Sequence, residues 1–286
     1  MRMILSVVAV VLSASGAFAA ERCQQITLVV GFKAGGTSTV AAQQLGHAIG
    51  QTSGGPQVIV MNHEGVNGRL AADYVLRQND RCTLFLMSST SVLRIPPDLG
   101  LKPVGLIARF AYVIVTSKDS PESLPIYMEA ARQNKDLLHF ATSGPGSFEQ
   151  LVAERLFRSY GLKGEHIPYN GAGPVMNDLM GGHVPMAIVP SIDAQGKDQL
   201  HKVAESGYGI ETFGWIGIYA SAAVPQEDID WYAQIFRVAA EIDESKKKLE
   251  KSGFIVKWAP GSEFATLHKE TYEDWKPELD RLGIKF

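Results

Sequence analysis

Residues 26–40 read ITLVVGFKAGGTSTV, an apolar run followed by the glycine-rich turn GFKAGGTSTV at 31–40. The run Ile26-Thr27-Leu28-Val29-Val30 has the makings of a buried strand. Beyond the turn, Val40, Ala41, Leu45, Ala48 and Ile49 recur at helical spacing. A strand that enters a helix through glycines directs the first, unpaired N–H groups of that helix at whatever lies above the strand, and those groups favour an anion. The stretch is not a phosphate loop: no Lys-Ser/Thr pair follows the glycines as G-x-x-x-x-G-K-[ST] requires, and G-x-G-x-x-G is absent. What remains is Gly35-Gly36-Thr37-Ser38 at a helix start. It is either an anion seat or a cap in which Thr37 or Ser38 satisfies the helix by itself.

Outward from this turn, strand and helix alternate. QVIVMN (57–62) reads as a second strand, GRLAADYVLRQ (68–78) as a second helix and TLFLMSS (83–89) as a third strand. This βαβαβ order signals a parallel sheet with helices on its faces. A second unit of the same kind starts at LLHFATS (137–143). It continues through the turn GPGS, the helix FEQLVAERLFRSYG (148–161), the strand EHIPY (165–169), the short helix GPVMNDLMGG (173–182) and the strand VPMAIVP (184–190). PVGLIARFAYVIVTS (103–117) suits a strand running from one lobe to the other, and TFGWIGIYASAAVP (212–225) suits a return crossing. The remainder, from 228 to 253 and again from 264 to 283, reads as helical. The expected architecture is therefore α/β and two-lobed, with each lobe a mostly parallel sheet flanked by helices and the two crossings acting as a hinge. Ligands of such sheets bind at the carboxyl ends of the strands, here between the lobes.

Composition agrees with a folded two-lobed chain. It has 286 residues, 45% hydrophobic and 20% charged, with a formal charge of −3 that gives no electrostatic case for nucleic acid or an anionic membrane. Arg2, the apolar stretch from Ile4 to Leu12 and the small residues ending in Ala17-Phe18-Ala19 form the pattern of a secretory signal, with cleavage expected between Ala19 and Ala20. Export, and hence a periplasmic location, follows as an expectation. Cys23 follows Ala20-Glu21-Arg22, which is no lipobox.

The two cysteines, Cys23 and Cys82, suggest one disulfide in an oxidising compartment, with two buried thiols as the alternative. Each sits just before an apparent strand, which favours pairing. Signals of catalysis are poor. G-x-S-x-G does not occur, and the seven histidines (47, 63, 139, 166, 183, 201 and 268) are scattered without H-E-x-x-H spacing. No enzyme, cofactor or metal site is expected. Lys246-Lys247-Lys248, with Asp243, Glu244 and Glu250 around it, reads as a solvated helix face.

Taken in order, these segments resemble the extracytoplasmic solute-binding receptors of tripartite tricarboxylate transporters, the Bug-type proteins. ITLVVGFKAGGTST is similar to that family's first strand and its P-F-x-A-G-G-x-x-D loop, and VIVMNHEGVNGRLAADYV to its N-R-x-G-A-G-G-x-x-G segment. CTLFLMSSTS resembles Y-T-L-L-x-x-S, FATSGPGS the S-A-G-x-G-S loop, and HIPYNGAGPVMNDLMGGHV the V-P-Y-K-G-x-x-P-x-x-x-D-L-x-G-G-x-V segment. The resemblance implies a type II periplasmic-binding-protein fold that captures a small organic acid (a di-, tri- or aromatic carboxylate), without chemistry, for delivery to membrane transporter subunits. The chain departs from the family at Lys33, Thr39, Glu64, Asn67 and Val189. AQGKDQLHKVAESGYGIETFGW, which follows Asp193, is shorter than the family pattern and reads as lacking a strand and turn.

Several expectations follow from the resemblance. The signal is residues 1–19, the first lobe 20–112 with 222–286, and the second lobe 113–221. The first and third strands lie side by side, so Cys23 pairs with Cys82. The ligand carboxylate sits on backbone amides of two loops, Ala34-Gly35-Gly36-Thr37-Ser38 and Ser143 to Ser147. Phe32, Ser88, Gly144 and Tyr169 border it, and the receptor works as a monomer. With Thr39 where the family has an acid, and Lys33 nearby, one expectation is a ligand lacking an ammonium group; the alternative is that Lys33 points into solvent and Thr39 merely begins the helix. A degenerate receptor acting as a sensor or interaction protein is the second reading, and a secreted hydrolase a third, disfavoured for want of a nucleophile and base.

Overall fold

The computed structural model describes residues 22–78, 80–204 and 213–284. The expected signal segment, and the part of the shortened segment at 205–212, lie outside the described residues. The opening apolar run forms strand β1 (Gln25–Val30), and helix α1 (Thr37–Gln51) follows the turn. β2 (Gln57–Asn62), α2 (Arg69–Gln78) and β3 (Thr83–Ser88) complete the first unit. β1 pairs in parallel with both β2 and β3, giving the order β2-β1-β3. β1 and β3 are covered on both sides by helices and by each other's neighbours, which is why they read as near-continuous apolar runs. Gly31, at the end of β1, packs so tightly that a Cβ there would lie 2.4 Å from the Cα of Gly68. This close backbone approach fixes the start of the turn against the loop that precedes α2.

β4 (Leu101–Ser117) is the long crossing strand. Its first part, Leu101 to Ala111, pairs antiparallel with β9 (Phe213–Ser221), and β9 pairs in turn with β3. Its last part, Tyr112 to Ser117, pairs with β7 (Met186–Pro190) and β8 (Leu200–Ala204). Between them lie α3 (Leu124–Gln133), β5 (His139–Thr142), α4 (Phe148–Ser159), β6 (Glu165–Pro168) and α5 (Ala172–Met180). β5 is parallel to β6 and β7, so the second unit repeats the first. The chain closes with α6 (Gln226–Glu241), α7 (Asp243–Lys251), β10 (Ile255–Pro260) and α8 (Gly261–Arg281).

The pairing corrects three readings of the sequence. β9 is hydrogen-bonded wholly between β3 and the first part of β4, so it belongs to the first sheet and not to a second lobe ending at 221. Leu200–Ala204 is a strand beside β4, so the strand read as missing after Asp193 is present. The stretch 228–253 is two helices, broken at Ile242 where the backbone turns extended (φ −58°, ψ 127°). β10, between the last helices, has only a short alternating signal and pairs with β4 at the sheet edge.

A bend at Gln24 returns the chain so that Cys23 meets Cys82 in a disulfide, with Cα atoms 5.7 Å apart. The Tyr232 hydroxyl lies 3.3 Å from the Cys23 sulfur, tying this corner to α6. Trp275 of α8 is packed edge-on against Phe148 at the start of α4, with ring centroids 4.6 Å apart, so it is a packing residue.

Candidate functional site

The carboxyl-terminal ends of the strands from both sheets surround a cavity of about 260 Å³. From the first sheet come Phe32, Lys33, Ala34, Gly36, Thr37 and Ser38, together with Ser88 and Thr90 beyond β3. From the second come Ser143, Glu149, the segment Gly171 to Pro174, Asn177, Pro190 and Asp193. The two sides touch around its edge. Thr37 Oγ1 donates to Asp193 Oδ2 at 2.7 Å, and Thr90 Oγ1 donates to Glu149 Oε1 at 3.0 Å. Asn67 and Arg94 both donate to the Pro145 carbonyl, at 2.8 and 2.6 Å.

Two helices open onto this cavity without a side-chain cap. α1 begins after Gly36 and α5 after Gly171, and glycine at the N-cap position offers no side chain to cap either helix. Gly35 (φ +91°) and Gly171 (φ +101°) occupy the left-handed region that admits glycine readily, and so turn each helix start toward the cavity. At α1 the Asp193 carboxyl takes the Thr37 amide, which leaves the neighbouring N–H groups of that turn and those at the start of α5 as donors, and the helix dipoles add partial positive charge there.

The second loop behaves differently from the expectation. The Gly144 amide donates to Thr142 Oγ1, the Gly146 amide to Gln150 Oε1 and the Ser147 amide to the Gly144 carbonyl. Ser147 is fully buried. Its hydroxyl caps α4 by accepting from the Gln150 amide and donates to Thr142 Oγ1, so it does not line the cavity. Tight turn geometry turns this loop's amides inward, and the amide-bearing wall of the second sheet is the start of α5 instead. Replacing Ser147 with Ala is expected to lower stability by about 1 kcal/mol through the lost cap. Ligand affinity should stay unchanged, a result that denaturant melts and titration calorimetry read separately.

Of the other expected site residues, Phe32, Ala34, Gly36, Thr37, Ser38, Ser88 and Ser143 line the cavity. Gly35 shapes the turn from an exposed position. Gly144 and Tyr169 line an adjoining cavity with Asn67 and Arg94, and the Tyr169 hydroxyl donates to Asp178 at 2.6 Å. Thr39, where the family carries an acid, is buried. It donates to the Lys33 carbonyl and accepts from Asn62 Nδ2, so it serves the loop and not the cavity. Lys33 stands half-exposed at the mouth, 3.8 Å from Glu64.

Asp193 and Glu149 escaped the reading of the sequence because neither falls in a glycine turn. Burial raises the Asp193 carboxyl to about 6 even though the Thr37 hydroxyl and amide hydrogen-bond to it. Burial raises Glu149, which is 1% exposed, to about 7 against weaker opposing hydrogen bonds. The clue available in sequence was Glu149 itself, an acid one residue inside an apolar helix start. Among the described residues no group of His, Cys, Asp and Glu could hold a metal ion.

Comparison with known proteins gives this geometry its context. The family described as tripartite tricarboxylate transporter family receptor matches residues 37–202. A UPF0065 protein from the tcbD-tcbE intergenic region of Pseudomonas sp. (strain P51) is 25% identical over 284 residues, covering 88% of this chain and 84% of its own. Two solved structures share the fold. R. palustris Rpa4515 with adipate has a TM-score of 0.83 at 22% identity, over 91% of this chain and 97% of the other. MatC from Rhodopseudomonas palustris with bound malate has a TM-score of 0.79 at 20% identity, over 89% and 98%. The structure of periplasmic binding protein BugD also shares the fold, with a TM-score of 0.81 at 22% identity over 91% of this chain and 98% of the other, so the fold is the two-lobed type of the periplasmic binding proteins. Among the described residues no helix is long and apolar enough to cross a membrane. With the match covering more than half of the chain, from α1 through the second unit, the chain belongs to the tripartite tricarboxylate transporter receptor family.

Proposed function

We propose that this receptor captures a small organic carboxylate in the cavity between its lobes and presents it to the membrane subunits of a tripartite transporter. The observation that carries the reading is the pair of helix starts, α1 and α5, that open onto one cavity with glycine at the N-cap and no capping side chain of their own. Amide donors at helix starts hold an anion through charge-assisted hydrogen bonds and need no lysine. That suits a cavity in which Lys33, at the mouth, is the one cation among the described lining residues. A volume of about 260 Å³ lies just under the range of drug-sized ligand sites, roughly 300–1,000 Å³, and favours a small acid. Malate and adipate in the two structural relatives point to the same chemistry. An open cavity supports a working receptor over a degenerate one.

Under this reading Gly36 and Ser38, with Ala172 and Gly173, hold the carboxylate beside the Thr37–Asp193 pair. Ser88 and Ser143 add hydroxyls, and the lobes, roughly 20–112 with 213–286 and 113–204, close on the ligand. A panel of adipate, malate, succinate, citrate and benzoate, screened by thermal shift and then calorimetry, tests it, because a ligand that binds only the folded protein raises its melting temperature. Gly36→Pro removes one amide donor at a backbone that suits proline (φ −84°), and an added Cβ meets nothing closer than 3.9 Å. It is expected to weaken the bound acid about tenfold, the worth of one hydrogen bond to a charged group. Stabilisation by none of these acids, or an unchanged affinity in Gly36→Pro, overturns the assignment.

A further inference from the structure

Glu149, the second residue of α4, lies on the cavity wall with 1% of its surface exposed. Its Oε1 accepts from Thr90 Oγ1 at 3.0 Å, while Oε2 makes no hydrogen bond of normal geometry. Ser143 Oγ, on the same wall, is buried and equally without one. A carboxylate here would draw on the Thr90 hydroxyl and on weaker bonds from Ser143, Ser147 and its own amide, which together do not offset its burial. A carboxylic acid fits better: Oε1 as the carbonyl oxygen takes the Thr90 proton, and Oε2–H is a donor that faces the cavity beside Ser143 and has no acceptor at normal hydrogen-bond geometry among the described residues.

The surroundings agree with the neutral form. On the Ser89–Arg94 turn, Arg94 directs its guanidinium to the Pro145 carbonyl. On β4, Tyr112 holds its hydroxyl 3.1 and 3.2 Å from Ser89 and Thr90. Beyond β7, Asp193 adds a second acid to the same cavity, and Lys33 at the mouth is close to Glu64. An ionised Glu149 would set two like charges against an incoming anion.

We propose that Glu149 is the specificity-determining group of the cleft: as a carboxylic acid it donates from Oε2 to an oxygen at the far end of an anionic ligand. The receptor then selects acids that carry such an acceptor, a second carboxylate or a carbonyl, and takes up a proton with them. The inference rests on the reading that the cavity holds a carboxylate. Burial brings the Glu149 carboxyl to about 7, so the ligand-free cleft loses this proton as pH rises through neutrality, and a bound anion holds it longer.

Titration calorimetry of the mature chain with adipate and with malate, at pH 7.0 and 8.5 and in two buffers of different ionisation enthalpy, reads both consequences. Affinity should fall about tenfold across that interval, with net proton uptake at the higher pH. The window lies above the range in which Asp193, at about 6, titrates. Glu149→Gln, which keeps a donor but cannot ionise, should bind with no pH dependence and no proton uptake. The wild-type buffer comparison needs no variant, so a misfolded Glu149→Gln protein would not shelter the idea. Proton release, a flat wild-type profile, or a slope that persists in Glu149→Gln overturns it while leaving the carboxylate reading intact. Binding of neither acid at either pH removes the carboxylate reading, and this inference with it.

Discussion

Replacing Cys23 and Cys82 together with alanine should lower the unfolding free energy by about 4 kcal/mol and the melting temperature by about 10 °C. The bridge spans 59 residues and encloses β1, α1, β2 and α2, so its removal frees a long loop in the unfolded chain. Loop-closure entropy alone gives the figure. Other contacts at this corner are the Tyr232 hydroxyl beside the Cys23 sulfur, Arg22 over the Trp231 ring, the Gln57 amide on the Gln24 carbonyl and, just inside β1, the Thr27 amide on the Cys82 carbonyl at 2.9 Å. Denaturant melts of the double variant against the oxidised wild type measure the change, and a thiol assay on denatured, unreduced protein checks the bond. Two reactive thiols in the wild type, or a loss below about 1 kcal/mol, would show the bridge does not do this.

The parallel units were legible because their signal is local. β1, β3 and β7 are buried on both faces and read as unbroken apolar runs, and α4 announces itself by Ser147 before Phe148, Leu151, Val152 and Leu156. What was misread depends on distant partners. β9 looks like a crossing strand because it is apolar throughout, but its hydrogen bonds go to β3 and to the first part of β4, and no pattern within 213–221 states that. β8 and β10 are short strands at the margins of β4, half-polar where they face water, so their periodicity is weak.

The site divided in the same way. The turn at Gly35-Gly36 could be found from its glycines, because a strand-to-helix entry needs them. The loop at Ser143 to Ser147 looked equivalent on paper, yet Thr142 and Gln150 consume its amides through side-chain hydrogen bonds that glycine spacing does not encode. Gly171 and Gly173 in HIPYNGAGPVMND carry the same signal as the first turn and open the helix that does face the cavity. Asp193 and Glu149 come together only through the tertiary fold, from a loop after β7 and the start of α4.

Stability should respond to pH in a way that isolates Glu149. Its carboxyl sits at about 7 when folded against an ordinary 4.5, and Asp193 at about 6 against 3.8, both raised by burial. For a raised group the folded state binds the extra proton. Its stabilising contribution is therefore complete below the unfolded value and lost as pH rises through the folded one. His166 and His268 run the other way. Burial lowers both to about 4, so what they contribute is present above 6.5 and lost as pH falls through 4. Between about pH 4 and 6.5 the two pairs oppose each other and the ligand-free protein should have a nearly flat profile. From 6.5 to 8 Glu149 is the group whose ionisation still costs stability. Glu149→Gln removes that loss, since an amide keeps the Thr90 hydrogen bond and carries no charge. A pKa moved from 4.5 to about 7 corresponds to about 3 kcal/mol over the full range. The stability of Glu149→Gln relative to wild type should accordingly rise by up to about 3 kcal/mol between pH 4.5 and pH 8. Denaturant melts at those two pH values, in buffers free of carboxylates, give the difference directly. If it is the same at both, Glu149 does not carry a raised pKa in the folded protein, and the neutral acid at the cavity wall is excluded.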